Sequence, residues 1–110
     1  MELLKVKNLI GKIDTEVISI VGDKDRLLGS AASLLNITSN HFTFCKEKNL
    51  PALNNIFDCV IVAPRNVDFD LKPENTYILV DNPRLVFIRI MKLVYPNGVY
   101  PKIIKGKMLL

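Results

Sequence analysis

The side chains with the most reactive chemistry in this sequence are two cysteines and a single histidine. Cys45 and Cys59 are fourteen positions apart, which matches no zinc-binding pattern, and two cysteines are too few for a disulfide framework. We interpret both as small buried hydrophobic side chains, with a redox pair as the alternative. A histidine-based catalytic pair is possible only at His41, where a structural or partly exposed imidazole is the favoured interpretation.

Motifs that would indicate a reaction are missing from the sequence. It contains no glycine-rich phosphate loop, no paired-cysteine metal site and no Gly-x-Ser-x-Gly nucleophile turn. We therefore predict no catalytic residues, no metal site and no cofactor in this chain. Whether the chain belongs to an enzyme stays open.

Length and composition favour one small domain. The chain has 110 residues, of which 49% are apolar, and this is enough for a single core. We expect a cytoplasmic protein, since there is no apolar run of about 18 residues and no secretory leader. The net charge of +4 would attract phosphate-bearing partners weakly, but the cations are scattered, so nucleic acid is not expected as a partner.

Hydrophobic patterns predict strands that alternate with short helices. Strands are expected at 3–6, 16–21, 41–45, 59–63 and 77–80, and helices at 8–13, 50–56 and 83–95, whereas 27–35 favours neither. The apolar density of 16–21 suggests a strand end that is buried on both faces. The predicted fold class is therefore α/β, a small mixed sheet flanked by helices.

The last helix has the clearest boundaries and an unusually wide apolar surface. Asp81 or Asn82 can cap its start, and Pro83 suits its first position. The polar side chains within its apolar stretch are Arg89 and Lys92. Two explanations are open: a partner covers part of the helix, or a three-layer domain buries it deeply. The candidate interface residues are Leu85, Arg89, Met91 and Lys92.

Several segments, in their order and spacing, resemble the amino-terminal domain of the UDP-3-O-acylglucosamine N-acyltransferase (LpxD) family. They are Gly29-Ser30-Ala31-Ala32-Ser33-Leu34, His41-Phe42-Thr43-Phe44, Cys59-Val60-Ile61-Val62 and the helix entry Val80-Asp81-Asn82-Pro83. The resemblance covers roughly residues 3–96. It implies a nucleotide-sugar-binding domain at 1–96 and a linker or tail at 97–110, leading toward a left-handed β-helix that is missing from this chain. The family's acyl-transfer machinery sits in hexapeptide repeats, and none occurs here.

The resemblance also implies a set of ligand-binding residues. Phe44 matches the aromatic side chain on which the family stacks uracil, and an ordinary core position is the alternative for it. Glu47 stands where the family has a uracil-binding Asn, and its carboxylate can accept from the uracil imide N–H but cannot donate. Lys46 and Lys48 are expected to contact a pyrophosphate, with Arg65 as a weaker candidate for the same task.

The expected function is a non-catalytic nucleotide-sugar recognition domain. The resemblance makes a UDP-sugar the expected ligand and places the domain in, or beside, a sugar N-acyltransferase of lipid A or surface-polysaccharide synthesis. A homo-oligomer or a separate β-helix acyltransferase subunit is the expected protein partner. The alternative is a ligand-free dimerisation or docking domain that acts through the 83–95 helix. The hypothesis of nucleotide-sugar recognition expects the Phe44 ring to lie open to solvent at the rim of the sheet.

Overall fold

The computed structural model has the α/β architecture that the sequence predicts, a five-stranded mixed sheet with helices packed against it. It describes residues 5–9, 19–34, 37, 41–65 and 70–95. The α-helix is α1 (Pro83–Val94), and 3-10 helices occupy Val6–Asn8 and Glu47–Asn55. The strands are β1 (Ser19–Val21), β2 (Ser30–Ala31), β3 (His41–Phe44), β4 (Val60–Pro64) and β5 (Thr76–Val80).

Parallel pairing gives the sheet one edge where several strands end together. The strand order is β1-β5-β4-β3-β2, with β2 to β5 parallel and β1 antiparallel to β5. Phe44 is level with Val62, and Pro64 is level with Val80, so the segments that follow β3, β4 and β5 emerge side by side. We call residues 45–48, 65 and 81–82 the carboxyl edge.

The central strands are buried on both faces, as their continuous apolar sequences predict. One face packs against α1, and the opposite face packs against the 3-10 helix Glu47–Asn55 and its neighbours. Each strand divides its side chains between the faces by alternation. The α1 side takes Phe42, Phe44, Val60, Val62, Ile78 and Val80, and the other side takes Ile61, Ala63 and Tyr77.

Helix α1 begins and ends close to the predicted positions. Asn82, rather than Asp81, provides the cap, because its Oδ1 accepts a hydrogen bond from the backbone N–H of Leu85 at 3.2 Å. At the other end, the hydroxyl oxygen of Tyr95 accepts from the backbone N–H of Ala31 at 3.3 Å. The end of the helix is thereby tied to the edge strand β2.

Three predicted elements differ from the structure in their described parts. The helix expected at 50–56 is a longer 3-10 helix, because Pro51 lies inside it and has no N–H to donate to the carbonyl four residues earlier. The expected burial of the 16–21 strand on both faces is wrong for its described part, since β1 is an edge strand and Val21 is exposed. The strand expected at 3–6 is wrong for its described part, since Lys5 forms only an isolated bridge with Leu27 and the next residue begins the 3-10 helix Val6–Asn8.

Some predicted features lie outside the described residues. They are the strand parts at 3–4 and 16–18, most of the helix at 8–13, the boundary between 96 and 97, and the tail at 97–110.

The edge of the sheet opposite the carboxyl edge is organised by a buried asparagine. Asn75 is fully buried, and its Oδ1 accepts from the backbone N–H of Cys59 at 3.0 Å. Its Nδ2 donates to the carbonyl of Ile56 at 2.8 Å and to the hydroxyl of Tyr77 at 3.2 Å. One amide side chain therefore joins the loop before β4 to the start of β5.

Candidate functional site

The carboxyl edge brings together polar side chains that are far apart in the sequence. Arg65 directly follows β4 and Asp81 directly follows β5, and the level pairing of Pro64 with Val80 makes them neighbours. Lys46 lies just beyond the end of β3, which pairs with β4 on its other side. The helix α1 starts at the same edge. Ligands of open α/β sheets bind at this kind of edge.

Arg65 and Asp81 form a two-point ion pair. Nε of Arg65 donates to one carboxylate oxygen of Asp81 at 2.6 Å, and Nη2 donates to the other at 3.0 Å. The backbone N–H of Arg65 also donates to the carbonyl of Val80 at 3.1 Å. The Arg65 side chain remains 32% exposed and the Asp81 side chain 46% exposed, so a solute can reach both.

The loop after β3 adds further charges to the carboxyl edge. Lys46 is half-buried, and Glu47 and Lys48 are exposed. Lys46 precedes the 3-10 helix Glu47–Asn55 in an extended conformation, so this loop leaves the sheet before it turns. Three of the predicted ligand-binding residues are therefore accessible, or partly accessible, at the same edge as Arg65.

Phe44 does not have the exposure that base stacking requires. It is 8% exposed, and its ring lies 4.9 Å from the ring of Phe87 on α1, centroid to centroid. The Phe42 ring contacts Phe87 as well, at 5.5 Å. The expectation of an open ring at the rim is wrong, because α1 covers this face of β3. The alternative interpretation, a core position, describes Phe44 correctly.

The candidate interface residues of α1 divide between core and surface. Met91 is 2% exposed and belongs to the core, so its expected place on an outer interface is corrected. Leu85 is 41% exposed, and Arg89 and Lys92 are exposed as well. The wide apolar surface is largely used within the domain, because α1 buries Pro83, Val86, Phe87, Ile90, Met91 and Val94.

The geometry excludes a disulfide between the cysteines in this fold. Both are free, buried and part of the core cluster on the face opposite α1. The β3–β4 register puts Cys45 level with Ala63, four residues beyond Cys59. That offset is about 13 Å along the strands, well beyond the roughly 7 Å limit between bridged Cα atoms. Burial also raises the pKa of the Cys45 thiol to about 11, which keeps it protonated and unreactive.

The histidine and the carboxyl edge lie at opposite ends of β3. His41 is half-buried at the first position of β3, whereas Lys46 lies just beyond its last position.

Within the described residues, no group of three His, Cys, Asp or Glu side chains is arranged to hold a metal ion. In the same part of the chain, no helix has the length and hydrophobicity needed to span a bilayer.

Sequence reasoning overlooked Asp81 as a site residue and considered it only as a helix cap. The signal was present, because Arg65 and Asp81 stand immediately after two consecutive apolar strands. Polar residues in that position meet at one edge if the strands are parallel neighbours. The strand order that makes them neighbours is set by the tertiary structure.

The sequence of this chain matches no protein-family model and no curated protein.

Proposed function

We propose that this domain is a non-catalytic recognition domain for a nucleotide sugar, with a UDP-sugar as the first candidate. It acts within, or as an accessory to, a sugar N-acyltransferase of lipid A or surface-polysaccharide synthesis in the cytoplasm. The proposed site is the carboxyl edge. The observation that carries the proposal is the parallel arrangement of β3, β4 and β5, which gathers Lys46 and Arg65 beside the start of α1.

The chemistry of this edge suits a diphosphate. Ammonium and guanidinium groups form short, charge-assisted hydrogen bonds with phosphate oxygens. Lys46, Lys48 and Arg65 oppose Glu47 and Asp81, so the net charge of these five side chains is +1. Long-range attraction of an anion is therefore modest, and affinity must come from directed hydrogen bonds at short range.

Of the two nucleobase contacts that the family resemblance implies, the proposal keeps the one from Glu47 and drops the one from Phe44. Phe44 is packed between the sheet and α1, so its ring has no exposed face on which a base could stack. Glu47 is exposed on the same loop as Lys46 and carries an acceptor for the uracil imide N–H. Base selectivity without aromatic stacking is expected to be weak, so UDP-sugars and dTDP-sugars are the appropriate pair of ligands to compare.

Thermal unfolding with and without ligand tests the proposal. A UDP-sugar at one hundred times its Kd adds about 2.7 kcal/mol to the free energy of unfolding, which corresponds to a rise in Tm of roughly 10 °C for a domain of this size. Lys46→Ala is expected to weaken binding about tenfold, through the loss of one charge-assisted hydrogen bond, and Arg65→Ala by more than about tenfold, because it removes the whole guanidinium. The Kd values are measured by isothermal titration calorimetry.

Lys24→Ala is the matched control. Lys24 is exposed in the turn after β1, beside the start of β5, so this variant removes one positive charge at the opposite edge of the sheet. It should bind the UDP-sugar like the unmodified protein. The proposal fails if millimolar UDP-sugar and dTDP-sugar leave Tm unchanged, or if Lys24→Ala weakens binding as much as Arg65→Ala does.

A further inference from the structure

The ion pair at the carboxyl edge leaves one side of the Arg65 guanidinium with unused donors. A guanidinium has five N–H groups. Asp81 takes the side formed by Nε and Nη2, through contacts of 2.6 and 3.0 Å. Among the described contacts of Arg65, the two N–H groups of Nη1 and the second N–H of Nη2 have no acceptor. These two nitrogens form a second fork, which points away from Asp81.

We propose that Asp81 is a positioning residue, which holds Arg65 so that its Nη1–Nη2 fork binds one phosphoryl group of the diphosphate. The inference rests on the proposed function and specifies how the ligand is held. Arginine binds phosphate best through two parallel N–H···O bonds, and this geometry requires a fixed guanidinium plane. The two-point contact with Asp81 fixes that plane before the ligand arrives, so less side-chain entropy is lost on binding.

The anchoring of the pair to the sheet supports this role. The backbone N–H of Arg65 donates to the carbonyl of Val80, the residue directly before Asp81. Asn82, directly after Asp81, caps α1. Both members of the pair are therefore attached to ordered backbone at the ends of neighbouring strands, whereas their side chains are still 32% and 46% exposed. An exposed pair of this kind contributes little to stability.

Asp81→Asn separates positioning from simple electrostatics, because the two predict opposite effects on affinity. On charge alone, removal of a carboxylate about 7 Å from a bound phosphate would tighten anion binding about threefold in water. Loss of the two-point contact should weaken it, since the guanidinium is no longer held in place. We expect the Kd for UDP and for inorganic pyrophosphate to rise about tenfold, the equivalent of one charge-assisted hydrogen bond.

Isothermal titration calorimetry of the full chain with UDP and with pyrophosphate provides the test. Asp81→Asn and Arg65→Lys are the variants, and Glu74→Gln is the control that removes a carboxylate before β5, at the opposite edge. Arg65→Lys keeps the charge but loses the fork, so it too should bind about tenfold more weakly. Titrations are run at a temperature where circular dichroism shows every variant to be folded.

The outcomes distinguish this inference from the proposed function. If the unmodified protein binds none of UDP, a UDP-sugar and a dTDP-sugar, the proposed function is overturned and the inference falls with it. If the unmodified protein binds UDP, and Asp81→Asn binds it equally or more tightly, the inference alone is overturned. Unchanged binding by Arg65→Lys has the same meaning, because it shows that a point charge is sufficient. Weaker binding by both variants, with Glu74→Gln unaffected, supports the positioning role.

Discussion

At the scale of single residues, the buried side chain of Asn75 joins the loop before β4 to the start of β5. Its amide accepts a hydrogen bond from the backbone N–H of Cys59 and donates one to the carbonyl of Ile56. It also donates to the hydroxyl of the fully buried Tyr77. Since burial without a partner is costly for each of these groups, the side chain is a structural requirement.

We predict that Asn75→Ala lowers the free energy of unfolding by about 2 to 4 kcal/mol, because it removes three buried hydrogen bonds, to the N–H of Cys59, the carbonyl of Ile56 and the hydroxyl of Tyr77. Urea denaturation followed by circular dichroism measures the change. Asn54→Ala is the control, since Asn54 is exposed in the 3-10 helix and its truncation should change stability by less than about 0.5 kcal/mol. Equal effects of the two substitutions would contradict the role assigned to Asn75.

At the scale of elements, the wide apolar surface of α1 is explained by the sheet on which it packs. Its apolar side chains pack on the face of the sheet that carries Phe42 and Phe44, and the tilted contacts of both rings with Phe87 lie at the centre of that layer. Such aromatic contacts contribute beyond the area that they bury. The helix thus positions the end of β3, while its own start contributes to the carboxyl edge.

A matched pair of substitutions on α1 distinguishes core from surface. Met91→Gln places an amide in the core and is predicted to cost about 2 to 4 kcal/mol of the free energy of unfolding. Leu85→Gln changes a side chain that is 41% exposed and should cost less than about 1 kcal/mol. Chemical denaturation measures both values.

Sedimentation of Leu85→Gln addresses the docking alternative. If α1 acts within the domain alone, the sedimentation coefficient is unchanged by the substitution. A dimer that dissociates in Leu85→Gln would instead assign the exposed surface of the helix to an interface.

In the denaturation experiment, an equal loss of unfolding free energy in Met91→Gln and Leu85→Gln would contradict the packing of α1 described above.

At the scale of the whole molecule, the sheet is the middle layer between two cores. One core lies under α1, and the other holds both cysteines. Because Cys45 and Cys59 are each 1% exposed, their thiols report on the opening of the second core. Burial raises the pKa of Cys45 from 9.0 to about 11 in the folded chain.

We predict that stability falls as pH rises from about 9 to 11. The folded state holds the Cys45 proton through this window, whereas the unfolded chain releases it near pH 9, so the unfolded state binds fewer protons and is increasingly favoured. Urea denaturation at a series of pH values measures the trend. Cys45→Ala is the comparison, because it should remove the part of the pH dependence that this thiol contributes.

Thiol labelling at pH 8 provides an independent check of the same core. Both cysteines should react with a disulfide reagent only as fast as the domain opens, since the buried thiols are inaccessible and Cys45 is almost wholly protonated. Reaction of either thiol at the rate of a free peptide would contradict the described burial. A disulfide between Cys45 and Cys59 in the folded protein would contradict the β3–β4 register.

The sequence alone determined the elements whose local signals agree. The apolar runs at 59–63 and 77–80 identified β4 and β5, and Asn82 with Pro83 marked the start of α1, because strand burial, capping and proline geometry are local properties. The α/β class followed from their alternation. The cationic residues Lys46 and Arg65 were also recognisable one by one.

Only the tertiary structure decided which of these residues meet and which are hidden. An aromatic residue at a strand end has the same local pattern whether a helix covers it or solvent reaches it, so the burial of Phe44 depended on where α1 packs. The pairing of Arg65 with Asp81 likewise depended on the strand order, which places the ends of β4 and β5 side by side. Strand order and helix placement are set by contacts between distant segments, and local sequence patterns do not encode them.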